Sequence, residues 1–173
     1  MNGCPYEIDL CIICSPIGYN PESVSVTGFK QIPTNPACVQ TLTANQVLNY
    51  IETVVTNPDY YYTYICTNAH GAPPCPDQSP IIEQRHFSCW YAELIDYFGE
   101  QSLYYRPCNT NEYCYEKISW CYDKTSNSYT RTIVDGPRQI GSPSCTKEEW
   151  EVTLPILVGF TSQCFIMHND CNP

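Results

Sequence analysis

The stretch 112-EYCYEKISWCYDKTSNSYTRTIV-134 decides the fold class. Its two arms, 112–122 and 129–134, are dense in aromatic and β-branched residues, which suit a pleated, half-buried surface. Between them lies 123-DKTSNS-128, a run of the residue types that turn a chain. Strand, polar turn and strand together read as a β-hairpin. The same composition recurs on both sides. Segments 60–66 (YYYTYIC), 81–98 and 103–106 read as strands, and so does the N-terminal 6–14. Segment 23–27 alternates Val24 and Val26 against Ser25 and Thr27, and the following Gly28 marks a bulge or bend. Near the C-terminus, 152–158 and 160–168 flank Gly159 and suggest a second hairpin. Fifteen prolines punctuate the gaps, as expected of short strands joined by stiff loops.

One segment departs from this pattern. Thr43-Ala44-Asn45-Gln46 is a capping box, and Val47, Leu48, Ile51, Val54 and Val55 then fall on one helical face. Asn57-Pro58 ends the run, because the residue before a proline is driven out of helical geometry. Thr146-Lys147-Glu148-Glu149 has room for little more than a turn before Pro155. The expected fold is therefore mainly β: a disulfide-rich, β-sandwich-like domain of short strands with one α-helix near 43–56. The chain 1–173 reads as a single domain, and the Pro-rich patch 72–80 (APPCPDQSP) is where a subdomain boundary would fall.

Thirteen cysteines in 173 residues approach the density of a disulfide scaffold. Such scaffolds belong to oxidising compartments. The net charge of −10, with eight Lys and Arg, disfavours nucleic acid and anionic lipid, both of which are bound by clustered cations. No run of about 18 apolar residues is present, so no transmembrane helix is expected. The start, MNGCPYEIDLCIICSP, carries Glu7 and Asp9 where a leader is cationic, so export implies removal of a signal peptide not present in this chain. None of the twelve asparagines sits in an N-x-S/T sequon, which leans toward a prokaryotic source. The expected location is secreted or cell-surface.

Motifs that carry chemistry are weak. Cys11-Ile12-Ile13-Cys14 has redox spacing without the helix that activates such a thiol, so structural disulfides to distant partners are the preferred reading. Zinc spacing is absent, and no metal or other cofactor is expected. His70, His86 and His168 read as surface or loop residues. Glu93 and Asp96 are a faint carboxylate pair of the glycosidase kind, explained equally by a solvated strand. No catalytic set emerges, so an enzyme is not expected.

The cysteines Cys4, Cys11, Cys14, Cys38, Cys66, Cys75, Cys89, Cys108, Cys114, Cys121, Cys145, Cys164 and Cys171 are all disulfide candidates, with pairing left open. Their odd number leaves one free or intermolecular, and Cys4 and Cys171, near the termini, are the positions suspected of reaching a neighbour. Tyr60, Tyr61, Tyr62, Tyr64, Tyr104 and Tyr105 form the candidate contact surface, since tyrosine offers apolar area with a polar tip. Three functions follow. The first is a self-associating subunit of an extracellular fibre, filament or matrix, joined through strand edges such as 6–14 and through tyrosines. The second is a secreted carbohydrate- or protein-binding module using the same tyrosines. The third is an extracellular hydrolase. The expected partner is a further copy of the chain, then a glycan or another surface protein.

Overall fold

A computed structural model describes residues 4–14, 22–33, 41–67, 72–77, 81–167 and 171. The chain is mostly β, and the eight described strands belong to one sheet. They are β1 (Tyr6–Ile13), β2 (Glu22–Gln31), β3 (Ile82–Phe87), β4 (Cys89–Tyr97), β5 (Glu100–Pro107), β6 (Tyr113–Asp123), β7 (Ser128–Ile140) and β8 (Phe165–Ile166). Helix α1 (Ala44–Val55) lies where the capping box placed it. No helix among the described residues is long and apolar enough to cross a membrane.

β2 organises the sheet. β1 runs antiparallel along one of its sides. The other side is shared: Glu22 to Ser25 pair with β3, whereas Phe29 and Lys30 pair with β5. The sheet therefore forks into a β3–β6–β7 wing and a β5–β4–β8 wing. Between the two lies Gly28, beside a register shift against β1 in which Asp9 faces Gly28 while Leu10 faces Val26. The expected bulge is thus present. The extra residue, Thr27, moves the inward face from Val24 and Val26 to Phe29, so all three side chains are buried on one surface. A Cβ on Gly28 would lie 2.8 Å from Asp9 Oδ2 and 2.9 Å from Tyr104 Cε2, which is why no larger residue fits.

Segment 81–98 crosses the fork. It pairs as β3 in one wing, bends at the buried Ser88, and continues as β4 in the other. Strands that turn such corners at a bend bring both wings around one core. That core joins Val24, Val26 and Phe29 to Ile82, Ile118, Trp90 and Phe165, with Val47, Leu48, Ile51 and Val55 of α1 covering it. Burying these four helix side chains is worth roughly 6–12 kcal/mol before entropy is counted, and a 12-residue helix is marginal without such packing. The N-terminus of α1 is closed from within. Thr43 Oγ1 accepts from Gln46 N, and the Glu149 carboxylate accepts from Ala44 N at 3.0 Å and Asn45 N at 3.3 Å. Glu149 arrives on a short 3-10 turn, Glu149–Glu151, the turn foreseen after Thr146.

The 112–134 hairpin forms as β6 and β7, and β7 runs on to Ile140 past Gly136. Two other expectations are corrected. Segment 60–66 is helical: Asn57 caps a turn with Pro58 at its first position, and a π turn Tyr61–Ile65 follows. Asn57-Pro58 stops α1 and, with its fixed φ, also starts a new turn, which overrides the strand preference of the tyrosines. The 152–168 hairpin is also absent. Residues 159–162 hydrogen-bond to the outer side of β4, where Gly159 N donates to Leu94 O at 2.8 Å and Ser162 N to Ala92 O at 2.8 Å. β8 pairs with the same strand. An open β4 flank competed successfully with 152–158, in which Pro155 has no N–H to give.

Candidate functional site

Alternation along β3 and β6 places Ile82, Gln84 and His86 on one face with Ile118, Glu116 and Cys114 as their direct partners. The isoleucines enter the core. One step along, the same face turns polar under α1, which contributes Glu52 and Thr56, both buried. Here His86 lies between two carboxylates, with Nδ1 at 2.9 Å from Glu52 Oε2 and Nε2 at 3.5 Å from Glu116 Oε1. Arg131, opposite Trp120 on β7, forms an ion pair with the same Glu116 oxygen. Burial alone would depress the imidazole pKa. The Glu52 and Glu116 charges and hydrogen bonds outweigh it and lift the pKa to about 10. Burial likewise raises Glu116, and His86 and Arg131 overcome that and hold it below the usual carboxylate range. His86 is therefore an imidazolium that ties α1 to the sheet.

These side chains floor an open cleft of about 500 Å³, whose walls include Asn49, Trp120 and Ile133. A second groove of about 480 Å³ adjoins it, because Thr53 and Asn57 line both. Its far side is a tyrosine shelf. Tyr60 and Tyr64, one helical turn apart, pack with ring centroids 5.1 Å apart and planes tilted by 43°. Tyr64 is 71% exposed. The shelf is held from beneath by Tyr61, which is fully buried and hydrogen-bonded to the buried Glu22, and by the Cys14–Cys66 disulfide. Asp59 at the rim accepts the Tyr129 hydroxyl at 2.5 Å, which joins the shelf to the β6–β7 hairpin. Well and shelf are two clefts that adjoin at Thr53 and Asn57, together a trough in two parts beside α1.

The tyrosines named from sequence do not act together. Tyr60 and Tyr64 are accessible, Tyr61 is buried and Tyr62 is half-buried. Tyr104 and Tyr105 point to opposite faces of β5. Tyr104 is covered on the outer face by Lys30 and Arg106, and Tyr105 stacks on Phe29 at 5.0 Å on the inner one. Neither reaches the trough. Of the carboxylate pair, Asp96 Oδ1 accepts Gly99 N in the β4–β5 turn, and Glu93 lies in β4, where its backbone bridges to Thr161. His86 is corrected from a surface residue to the centre of the well. His70 and His168 lie outside the described residues.

The cysteines pair as Cys14–Cys66, Cys75–Cys121, Cys89–Cys145, Cys108–Cys164 and Cys114–Cys171. Cys4 is disulfide-bonded as well, and Cys38 lies outside the described residues. Cys14 pairs with a distant partner as expected, whereas Cys11, expected to do the same, is corrected to a free thiol. The suspicion of Cys4 and Cys171 as links to a neighbour is corrected, since Cys11, exposed on β1, is the free thiol among the described residues. No three His, Cys, Asp or Glu side chains among those residues are placed to hold a metal ion.

The charged well was missed from sequence, although a signal for it was present. Glu52 sits four residues after Leu48 and three before Val55, inside the apolar stripe, and an acid in such a stripe needs a buried partner. No family model, curated protein or solved structure matches this chain, so its function has to be read from the trough itself.

Proposed function

We propose that this chain is a secreted binding module that acts by holding a surface ligand rather than by catalysis. The observation that carries this reading is the trough, where two adjoining clefts combine an exposed aromatic shelf with buried, satisfied polar groups. Few convergent polar groups over an aromatic wall is the composition of a ligand site. The surroundings of His86 argue against its use as a general base, because a general base must be neutral and the two carboxylates favour the protonated ring. Cys114, the thiol-bearing residue of the lining, is in a disulfide. The stapled frame and the absence of a membrane-spanning helix among the described residues are consistent with an extracellular setting.

The test is a printed array of glycans and of extracellular protein fragments, probed with labelled chain. Binding should be lost with Tyr64→Ala and kept with Trp150→Ala, an exposed aromatic outside the trough. Equal signals from the two variants overturn the assignment of the site.

A second reading, the self-associating subunit, rests on a different surface. Trp150, Ile156, Leu157, Val158 and Phe160 are all exposed, and Phe98 at the β4–β5 tip is 94% exposed. Such a concentration of apolar side chains is what subunit contacts cover. Exchange of the N-terminal strand is disfavoured as the means, because the ends of β1 are tied by the disulfides of Cys4 and Cys14. Sedimentation showing only monomer at millimolar concentration retires this reading.

A further inference from the structure

We infer that the trough takes an uncharged saccharide, with one ring lying on the Tyr60/Tyr64 shelf and the next reaching into the well; the inference rests on the binding-module reading and names its ligand. Three observations lead there.

The first is the balance of charge. The well contains Glu52 and Glu116 against His86 and Arg131, each already matched by an opposite charge within its own network. A cationic ligand would meet Arg131 and His86, an anionic one Glu52 and Glu116, and neither would gain a net partner. A neutral ligand that donates and accepts in equal measure meets no such penalty, because desolvating paired charges is costly only where their pairing is broken.

The second is the hydrogen-bonding capacity left over. The donors of His86 and Arg131 converge on Glu116 Oε1, which leaves Oε2 for a further donor. Arg131 uses one terminal nitrogen on that contact, and a guanidinium carries five N–H groups. On the saddle between the clefts, Asn57 Oδ1 accepts Asp59 N, so its amide NH₂ remains a donor. Thr53 donates its hydroxyl proton to Asn49 O at 2.8 Å and keeps its lone pairs as acceptors. The lining thus offers donors, Arg131 and Asn57, together with acceptors, Glu116 and Thr53. Each sugar hydroxyl can do both.

The third is the nature of the apolar surface. It is aromatic at both ends, Tyr60 and Tyr64 on the shelf and Trp120 in the well. A pyranose has a flat C–H face that covers such a ring while its hydroxyls reach the rim. The shelf also needs no ordering on binding, since Tyr61 and Cys66 fix its turn. A peptide that binds by adding a strand, by contrast, needs an open sheet edge. The walls here are a helix and the face of a sheet.

The experiment is calorimetric titration of the oxidised chain with cellopentaose, maltopentaose and chitopentaose, with polygalacturonate as the anionic comparison, alongside tryptophan fluorescence to report Trp120. At least one neutral oligosaccharide should bind. Tyr64→Ala, at an exposed position that does not endanger folding, should weaken it about tenfold or more, equivalent to ~1.4 kcal/mol. Thr53→Val should weaken it less, and Trp150→Ala should change nothing. Binding of polygalacturonate alone, lost at raised salt, overturns the uncharged class. No saccharide bound, together with an array signal from protein fragments that depends on Tyr64, overturns the saccharide and leaves the module standing. No ligand of either kind sensitive to Tyr64→Ala removes both.

Discussion

Replacing His86 by asparagine tests the charged well directly. The substitution removes the cation between Glu52 and Glu116 and leaves two buried carboxylates facing one another across the α1–sheet contact. Breaking a buried ion pair from one side costs roughly 3–5 kcal/mol. The raised pKa of the ring has the same electrostatic origin and points the same way. The value rises from 6.5 to about 10 on folding, and at ~1.4 kcal/mol per unit this is on the order of 4–5 kcal/mol. A pKa raised by folding means that the native state holds the proton more tightly. The stabilisation is therefore complete below the unfolded pKa of 6.5, declines as pH rises, and is gone above about 10. The assay is urea unfolding of His86→Asn and its parent across that interval, both carrying Cys11→Ser so that the free thiol cannot reshuffle disulfides in alkali. Taking the difference between the two proteins cancels tyrosine ionisation, which overlaps the upper end. The gap should be several kcal/mol near pH 6 and should close toward about pH 10.5. A gap that is constant with pH, or below about 1 kcal/mol throughout, refutes the imidazolium bridge.

Two further substitutions probe the frame that holds the trough. Glu22 is 1% exposed, burial raises its pKa, and its Oε2 has no hydrogen-bond partner among the described residues. Glu22→Gln should therefore stabilise the chain at neutral pH, because a neutral amide replaces a carboxylate whose charged form burial disfavours. The wild type loses that stability as pH rises from 4.5 through the raised native pKa, so the advantage should vanish in acid. A lower urea midpoint for Glu22→Gln at neutral pH would contradict this account. Gly28→Ala places a methyl 2.8 Å from Asp9 Oδ2 and 2.9 Å from Tyr104 Cε2 at the fork. It should destabilise by about 1–3 kcal/mol, a fall in Tm of some 2–4 °C for each, and an unchanged Tm would show that the fork has slack.

What the sequence made legible was what neighbouring residues decide. The 112–134 hairpin, the Thr43–Gln46 box and the bulge at Gly28 are fixed by contacts a few residues apart, and all three are present. The failures required information from further away. Segment 60–66 has strand composition, but Asn57 and Pro58 just upstream start a helical turn, and Tyr61 then finds a buried acid 39 residues back in the chain, Glu22. Residues 159–166 chose β4 over their own neighbours because its flank was open. The site lay deeper still. Glu52, His86, Glu116 and Arg131 come from four separate elements, and only the register of β3 against β6 and β7 shows that they converge. Of the six candidate tyrosines, the two that remain accessible together are Tyr60 and Tyr64, the pair at helical spacing.

The placement of the disulfides bears on function as well as on stability. Each of the five ties a segment that lacks regular pairing of its own to a strand or its end: Cys66 to the end of β1, Cys75 to β6, Cys145 to the start of β4, Cys164 to the end of β5 and Cys171 to β6. None joins one hydrogen-bonded strand to its neighbour, where the ladder already holds the chain. Closing loops of 46–57 residues restricts the unfolded chain by roughly 4 kcal/mol apiece in the chain-entropy model, with less from loops that overlap. A core anchored by Leu48, Ile51, Ile82, Trp90 and Phe165 does not need all of that to fold. What the staples add is rigidity in irregular segments that the core does not reach, and the shelf is one of them. Cys14–Cys66 and the buried Tyr61 hold the π turn that sets the exposed Tyr64 against Tyr60. A turn used only to connect α1 to the next strand has no need of such fixing. A turn that presents two aromatic rings to a ligand gains affinity from it, because the ordering cost of binding has already been met in folding.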